Sequence, residues 1–316
     1  MSKEMKLKSF ITFVGFFLFF LFLIFTPLNQ ARALDYAGLA LSPPTFELSA
    51  NPGDNLENSI RVENLTETPM KVLVQKRNFT AMGEEGAVNL TEEEDTFSLA
   101  SWITVTPAEA EMPAKGTMTF TFRTAVPLNA EPGGHFGSII FRIGGQSNPQ
   151  QSGAVVAQEL GALVLVRIAG KTTEKAVLES FVPKKKLWEH GPVEFEIRVK
   201  NEGNVHIKPA GVITITNLFG RKVATFNVDP RNVLPGAIRK STTVWDKKFL
   251  FGKYTASLAL NYSTQGKVLA GLTTFFGFPY RVGGPILLGL IILIFFLYRA
   301  RRRIKLALKV LFGKYK

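Results

Sequence analysis

The chain contains no cysteine and only three histidines, His135, His190 and His206, among 316 residues. The missing cysteine excludes disulfides, thiolate metal ligands, a thiol nucleophile and a lipid-modified N-terminal cysteine. Three scattered histidines leave little for an imidazole-based metal site. Also absent are the G-x-S-x-G, H-E-x-x-H and Walker A patterns, whose spacings carry serine, zinc and phosphate chemistry. A Ser/His/Asp triad built from distant segments leaves no local trace, and nothing in the sequence favours one. The expectation is a protein that is not an enzyme, with no cofactor, no metal and no catalytic residues.

Charge is also scarce where a nucleic-acid protein would need it. The formal net charge is +13. Residues 1–33 carry Lys3, Lys6, Lys8 and Arg32 against Glu4, for +3. Residues 299–316 carry eight cations and no acid, which leaves only +2 for residues 34–298. A basic stripe on a folded domain is the footprint of DNA or RNA binding. Here the cations flank two apolar runs instead, which is the pattern of membrane topology.

Those two runs read differently. Residues 10–25 are free of charge and rich in phenylalanine, follow a lysine-bearing start, and lead through Pro27 to Ala31-Arg32-Ala33. A basic start, an apolar stretch and an A-x-A site describe a secretory signal peptide over residues 1–33, with an uncleaved N-terminal anchor as the alternative. The second run, residues 282–298, spans about 25 Å at about 1.5 Å per residue, with Phe275, Phe276, Phe278 and Tyr280 placed either to extend it or to sit at the interface as an aromatic belt. Arg301-Arg302-Arg303 follows at once. The positive-inside bias puts that cluster in the cytoplasm and residues 34–281 outside. A single-pass cell-membrane protein with its C-terminus inside is therefore expected. In residues 299–316, Ile304, Leu308, Leu311, Phe312 and Tyr315 recur at helical spacing among the cations. This reads either as an amphipathic tail lying on the anionic inner leaflet or as a plain stop-transfer signal.

Residues 34–281 show almost no helical period. Residues 59–64 and 117–123 alternate apolar and polar, and residues 138–143 and 162–168 are apolar enough for central strands. Short alternating runs separated by Pro, Gly and Asn predict β-sandwiches. The series restarts after Gly170, with roughly seven further runs to Phe275. The expected fold is all-β: two tandem immunoglobulin-like β-sandwiches, residues 34–170 and 171–277, followed by a transmembrane helix at 282–298 and a basic cytoplasmic tail at 299–316.

Two connections stand out. Residues 81–96 carry Glu84, Glu85, Glu92, Glu93, Glu94 and Asp95. Clustered carboxylates suit calcium, but the D-x-D-x-D-G spacing is missing, which favours a solvated acidic loop. Residues 145–158 are rich in Gln, Asn, Ser and Gly and read as a long connection before the last strand of the first sandwich. Four N-x-[ST] sequons occur, at Asn64, Asn78, Asn89 and Asn261. They become glycans only where the host glycosylates them.

Several segments together carry a resemblance. The first half contains Leu41-Ser42-Pro43-Pro44, Asn51-Pro52-Gly53, Ile60-Arg61-Val62-Glu63-Asn64 and Glu131-Pro132-Gly133-Gly134-His135-Phe136-Gly137. The second contains Asn201-Glu202-Gly203-Asn204-Val205-His206-Ile207-Lys208-Pro209, Phe219-Gly220-Arg221, Leu234-Pro235-Gly236 and Phe251-Gly252-Lys253-Tyr254. These resemble the WxL-interacting proteins, a bacterial cell-surface family with a signal peptide, two immunoglobulin-like domains, a membrane helix and a short basic tail. The resemblance spans about residues 38–277 plus the anchor. It implies binding without catalysis: a cell-wall polymer such as peptidoglycan, or another surface protein. A second possibility is a surface-assembly chaperone that pairs a strand with a client. The residues themselves have structural readings too. Pro52-Gly53 and Pro132-Gly133-Gly134 form turns, Asn64 and Asn201 cap strand ends, and His135 and His206 brace loops through hydrogen bonds. Trp102, Trp188 and Trp245 are expected in the sandwich cores, with sugar stacking as their alternative role.

Overall fold

A computed structural model describes residues 38–143 and 159–312, with side chains to residue 301. The expected signal peptide and the polar stretch 145–158 lie outside the described residues. So do the side chains that give the tail its apolar face.

The described chain is almost entirely β-structure, followed by a single C-terminal helix. Ten strands precede residue 170: β1 (Leu39–Ser42), β2 (Thr45–Ala50), β3 (Asn55–Asn64), β4 (Met70–Met82), β5 (Ala87–Thr91), β6 (Ile103–Thr106), β7 (Glu109–Met112), β8 (Thr117–Ala125), β9 (Gly133–Ile143) and β10 (Glu159–Ile168). One sheet runs β1-β3-β8-β6. The other runs β2-β10-β9-β4-β5, with β7 also on β4. The period-two pattern of residues 117–123 becomes β8, which buries Phe120, Phe122 and Thr124 on one face. Phe120 and Phe122 meet Ile60 and Val62 from β3, and Phe141 and Val164 from the opposite sheet, in one apolar cluster. Strand β9 is buried on both faces because its second face is covered as well, by Phe79, Leu165 and Leu234 around Phe136.

Eight strands follow: β11 (Ala176–Pro183), β12 (Leu187–Trp188), β13 (Val193–Asn201), β14 (Ala210–Asn217), β15 (Lys222–Val228), β16 (Ile238–Trp245), β17 (Gly252–Asn261) and β18 (Val268–Gly277). Their sheets run β11-β13-β16 and β12-β18-β17-β14-β15. Strand β13 alternates buried and half-buried residues along its whole length, as its sequence VEFEIRVKN requires of a strand with one face on a core. That core is aromatic. Phe195, Trp245 and Tyr254 surround Phe275 at ring-centroid distances of 5.3–6.1 Å.

The helix, α1 (Tyr280–Phe312), starts two residues before the expected span and continues without a break through the tail, so span and tail are one element. Its portion Tyr280–Arg301 has 22 residues with a mean hydropathy of 2.1 and none of it buried. At about 1.5 Å per residue it reaches about 33 Å, enough for a hydrocarbon core of about 30 Å.

One expected connection is corrected. Residues 81–96 do not form an acidic loop throughout: β4 continues to Met82 and pairs with β5, so the carboxylates at 84 and 85 sit on a tight hairpin turn. Asn and Thr flanking that turn fit an extended backbone, and acidity alone did not reveal the pairing.

Candidate functional site

Two of the quoted motifs meet in space. The turn at Pro132-Gly133-Gly134 docks on the Asn201–Pro209 segment. Gly134 donates its N–H to the Asn204 carbonyl at 2.8 Å, and Asn204 Nδ2 donates to the Pro132 carbonyl at 3.2 Å. Asn204 Oδ1 accepts the Thr173 N–H at 2.7 Å. A Cβ on Gly134 would stand 2.6 Å from the Phe136 ring and 3.3 Å from the His206 nitrogen, so only glycine admits this approach. Two of the segments that carry the resemblance therefore contribute to the joint between the two halves.

Asn64 and Asn201 close the ends of β3 and β13 in the same way. Both are fully buried. Asn201 Nδ2 donates to the Val205 and Val233 carbonyls, both at 2.8 Å, while its Oδ1 accepts the Gly203 N–H at 2.9 Å. Asn64 Nδ2 donates to Thr68 and Pro113, and its Oδ1 accepts from Thr66. Burial removes Asn64 and Asn78 as glycan acceptors in the folded protein, whereas Asn89 and Asn261 are exposed.

The histidines divide. His135 is buried between two carbonyls, with Nδ1 at 3.1 Å from Ser98 and Nε2 at 2.9 Å from Glu131, and its ring lies against Trp102. It braces the loop as expected. His206 does not: its buried Nδ1 has no hydrogen-bond partner, and its ring packs edge-on to Phe136 at 5.9 Å. Burial pushes its pKa below 6.5, and nearby Arg167 and Lys208 oppose its protonation while Glu47 favours it. His190 Nδ1 lies 2.8 Å from the Gly191 carbonyl. Trp188 and Trp245 are buried in the second core, and Trp102 is partly covered at the edge of the first.

Between the halves lies a cavity of about 310 Å³. Phe79, Leu163 and Leu165 form its apolar wall on one side. Lys208, Arg231, Asn232 and Arg239 line the other. Burial would raise the pKa of Glu47, but hydrogen bonds from Lys208 and Asn232 outweigh it and hold the carboxyl below its ordinary 4.5. Lys208 Nζ lies 2.7 Å from Glu47 Oε1. Burial, and then repulsion from Arg231, lower the pKa of Arg239, whose Nε is buried with no partner. The acidic hairpin closes the far side. Arg198 Nε donates to Glu84 Oε2 at 2.7 Å, Lys240 pairs with Glu85, and the Lys240 N–H donates to the Glu84 carbonyl at 2.8 Å. These carboxylates are already paired with cations of the second half.

The same cleft continues onto an open strand edge. Strand β10 pairs with β9 from Glu159 to Ile168, but β2 covers its other edge only from Leu163 onward. Among the described residues, no strand pairs with 159–162 on that side, although β1 lies near β10. Leu163 donates its N–H outward, to Pro44. The two-residue period of a strand therefore points the Gly161 N–H and C=O outward too. Edge strands are ordinarily guarded by charge, proline or bulges. Leu160-Gly161-Ala162 has none of these. Gly161 is exposed on the face it shares with Leu163 and Leu165. A Cβ there would make only ordinary contacts, 3.6 Å from the Ile139 carbonyl and 3.7 Å from Ile140, so nothing among the described residues requires glycine. Glycine in a strand interior often marks the close approach of another backbone. Sequence reading placed this strand but missed its open edge, because which half of β10 is covered depends on where β2 begins.

No family model and no curated protein matches the chain. Similar solved structures include the class 5 fimbriae chaperone CfaA, at 12% identity over 74% of this chain and 98% of that one, with a TM-score of 0.40. A chaperone–tip adhesin complex of CFA/I fimbriae biogenesis matches at 12% identity over 75% and 99%, with a TM-score of 0.39. The CupB2 chaperone of Pseudomonas aeruginosa matches at 11% identity over 75% and 100%, with a TM-score of 0.34. At these identities and scores nothing about activity or partners passes to this chain.

Proposed function

We propose that this chain is a membrane-tethered surface protein, without catalytic activity, that assembles or displays a protein partner by pairing a strand with it. Two immunoglobulin-like domains, divided between Ile168 and Ala176, stand outside the membrane on a single-pass helix whose basic end faces the cytoplasm. The partner adds a strand along residues 159–162 of β10, and its side chains on the cleft side run toward the cavity beyond Leu163. Main-chain hydrogen bonds supply affinity in such an arrangement, and pockets for alternate side chains supply specificity. The observation that carries this reading is the strand edge at Leu160-Gly161-Ala162, unpaired among the described residues, with a glycine that no described contact requires.

The WxL-interacting resemblance fits the same layout and leaves the partner as a surface protein. Binding to a peptidoglycan-like wall polymer is the competing reading. It is less well supported because two of the three tryptophans are buried in the second core, and the exposed aromatics are phenylalanines gathered beside the helix.

A photo-reactive residue at position 161, in the native host, tests the choice. Discrete protein adducts are expected at 161 and none at the exposed Leu128. Gly161→Pro deletes the outward N–H while sparing the ladder to β9, and it should abolish partner binding by the intact chain. Adducts carrying wall polysaccharide in place of protein would replace strand pairing with wall binding.

A further inference from the structure

The exposed phenylalanines of the second half are gathered at one end, whereas the exposed aliphatics Val177, Val268 and Leu272 lie elsewhere on it. The β14–β15 turn presents Leu218 and Phe219, which are 65% and 82% exposed. The connection from β16 to β17 presents Phe249 and Phe251, at 67% and 63%. Register brings these together with the end of β18: Asn217 pairs with Tyr254, Lys253 with Phe276, and Leu187 with Phe276 from the other side. The helix begins at the same place. Phe278 donates its N–H to the Trp188 carbonyl at 2.8 Å, its ring lies 6.0 Å from that of Phe251, and Arg281 pairs with Glu189 at 3.4 Å. This end lies opposite the joint with the first half, which is formed by the far ends of β13 and β14.

Cations surround the aromatics. Lys184, Lys185, Lys186, Lys248, Lys253 and Arg221 are exposed around this end, and Lys185 and Lys247 lie over the rings of Trp188 and Trp245. In water such a cluster is costly, because contiguous exposed apolar surface is unusual on a soluble domain. Aromatic rings flanked by lysines match the headgroup zone of a bilayer, where the rings enter the acyl boundary and the ammonium groups meet lipid phosphates. A membrane-spanning helix that starts at Tyr280, only a few residues from these side chains, would place that zone directly against them.

We infer that this end of the second half is a membrane-seating surface: Phe219, Phe249, Phe251 and Phe276 dip into the outer face of the bilayer that α1 crosses. The sandwich then stands at a fixed angle on the lipid instead of swinging on a tether, and the cleft and open edge are held at the opposite end, away from it. The inference rests on the anchoring part of the function proposed above, but not on strand pairing.

The absence of cysteine makes the test direct. Single spin labels on Phe219→Cys, Phe251→Cys, Leu128→Cys and Leu290→Cys variants of the full chain are read after reconstitution into phosphatidylcholine–phosphatidylglycerol vesicles. All four positions are exposed, so the fold does not depend on them. Collisions with oxygen, which partitions into lipid, are compared with collisions with a water-soluble nickel chelate. Labels at 219 and 251 are expected to favour oxygen, as the label at 290 does, while the label at 128 favours nickel. Aqueous labels at 219 and 251 beside a lipid-embedded label at 290 would overturn the seating and leave the anchor intact. An aqueous label at 290 would overturn both.

Discussion

The two halves of this molecule are built alike at their ends and differently at their centres and surfaces. Each closes a strand with a fully buried asparagine that satisfies the following turn, Asn64 after β3 and Asn201 after β13. The first half fills its core mainly with aliphatic side chains and two edge-on phenylalanine pairs, Phe46–Phe122 and Phe120–Phe141, each at 4.9 Å. The second gathers its aromatics into one cluster around Phe275. The first half leaves a strand edge open beside the cleft. The second exposes a greasy, lysine-rimmed end beside the helix. Duplicated local chemistry at the turns thus supports two unlike surfaces, one an unpaired strand edge and one aromatic and lysine-rimmed.

The comparison breaks most forcefully in the second core. Phe275 is fully buried and touches three other aromatic rings, so Phe275→Ala leaves a cavity that rigid neighbours fill poorly. A loss of about 3–5 kcal/mol is expected. Denaturant unfolding followed by hydrogen exchange should show the loss concentrated in residues 176–277. Phe120→Ala in the first core should lose a similar amount from residues 39–168.

The paired asparagines sharpen it next. Asn201→Ala orphans the Val205 carbonyl and the Gly203 N–H and removes one of the two donors to the Val233 carbonyl, which keeps the Ile207 N–H. Buried groups left unpaired cost about 1–3 kcal/mol each, so a destabilisation of about 3 kcal/mol is expected, and a comparable one for Asn64→Ala. The two variants should differ in reach. Asn201 opens the segment that holds Asn204 against Pro132 and Gly134, so its loss should also loosen the joint, whereas Asn64→Ala should remain local. Equal exchange profiles would mean the joint does not depend on this turn.

How much of this was legible follows from the range of the interactions. Alternation within β3, β8 and β13 is a property of a few neighbouring residues, and it showed where one face is buried. Glycines and prolines marked the turns for the same reason. What could not be read is whatever needs two distant segments at once. The docking of Gly134 on Asn204 joins residues 70 positions apart. The hairpin at Glu84 turns outward to Arg198, 114 residues away. The open edge of β10 exists only because β2 starts at Thr45 and not earlier. His206 illustrates the point: its motif suggested a hydrogen-bonded loop, but the Phe136 ring it meets comes from the other half.

Acid should separate the two kinds of ionisable group. Burial holds His206 below its ordinary 6.5, so the unfolded chain takes up a proton first and stability begins to fall as pH drops below 6.5. Burial would raise the pKa of Glu174, but hydrogen bonds from Ser263 and Arg167 outweigh it and keep the carboxyl below 4.5. Its contribution is complete above 4.5 and disappears as pH falls through the lowered value. A titration of the unfolding midpoint should therefore show a shallow decline below 6.5, then a steeper one below 4.5. His206→Phe should remove the first stage, and Glu174→Gln should remove part of the second, which Glu47 shares.

The smallest expected effect concerns the acidic hairpin. The Glu84–Arg198 pair is bidentate, and each side chain is about one-third exposed, at 34% and 32%. Water and salt screen such a pair, and holding two long side chains in one geometry costs entropy. Its value therefore lies in orientation more than in stability. Glu84→Gln should scarcely move the unfolding midpoint at high salt, and it should shift it slightly at low salt. Because Glu84 also offers its carbonyl to Lys240, which the substitution leaves intact, the two halves should stay joined. A spin-label distance between residues 57 and 222 should broaden in the variant only at low salt, where the wild-type pair is strongest. Broadening that persists at high salt would show that Glu84 fixes the angle between the halves through packing, and the electrostatic account of the hairpin would fail.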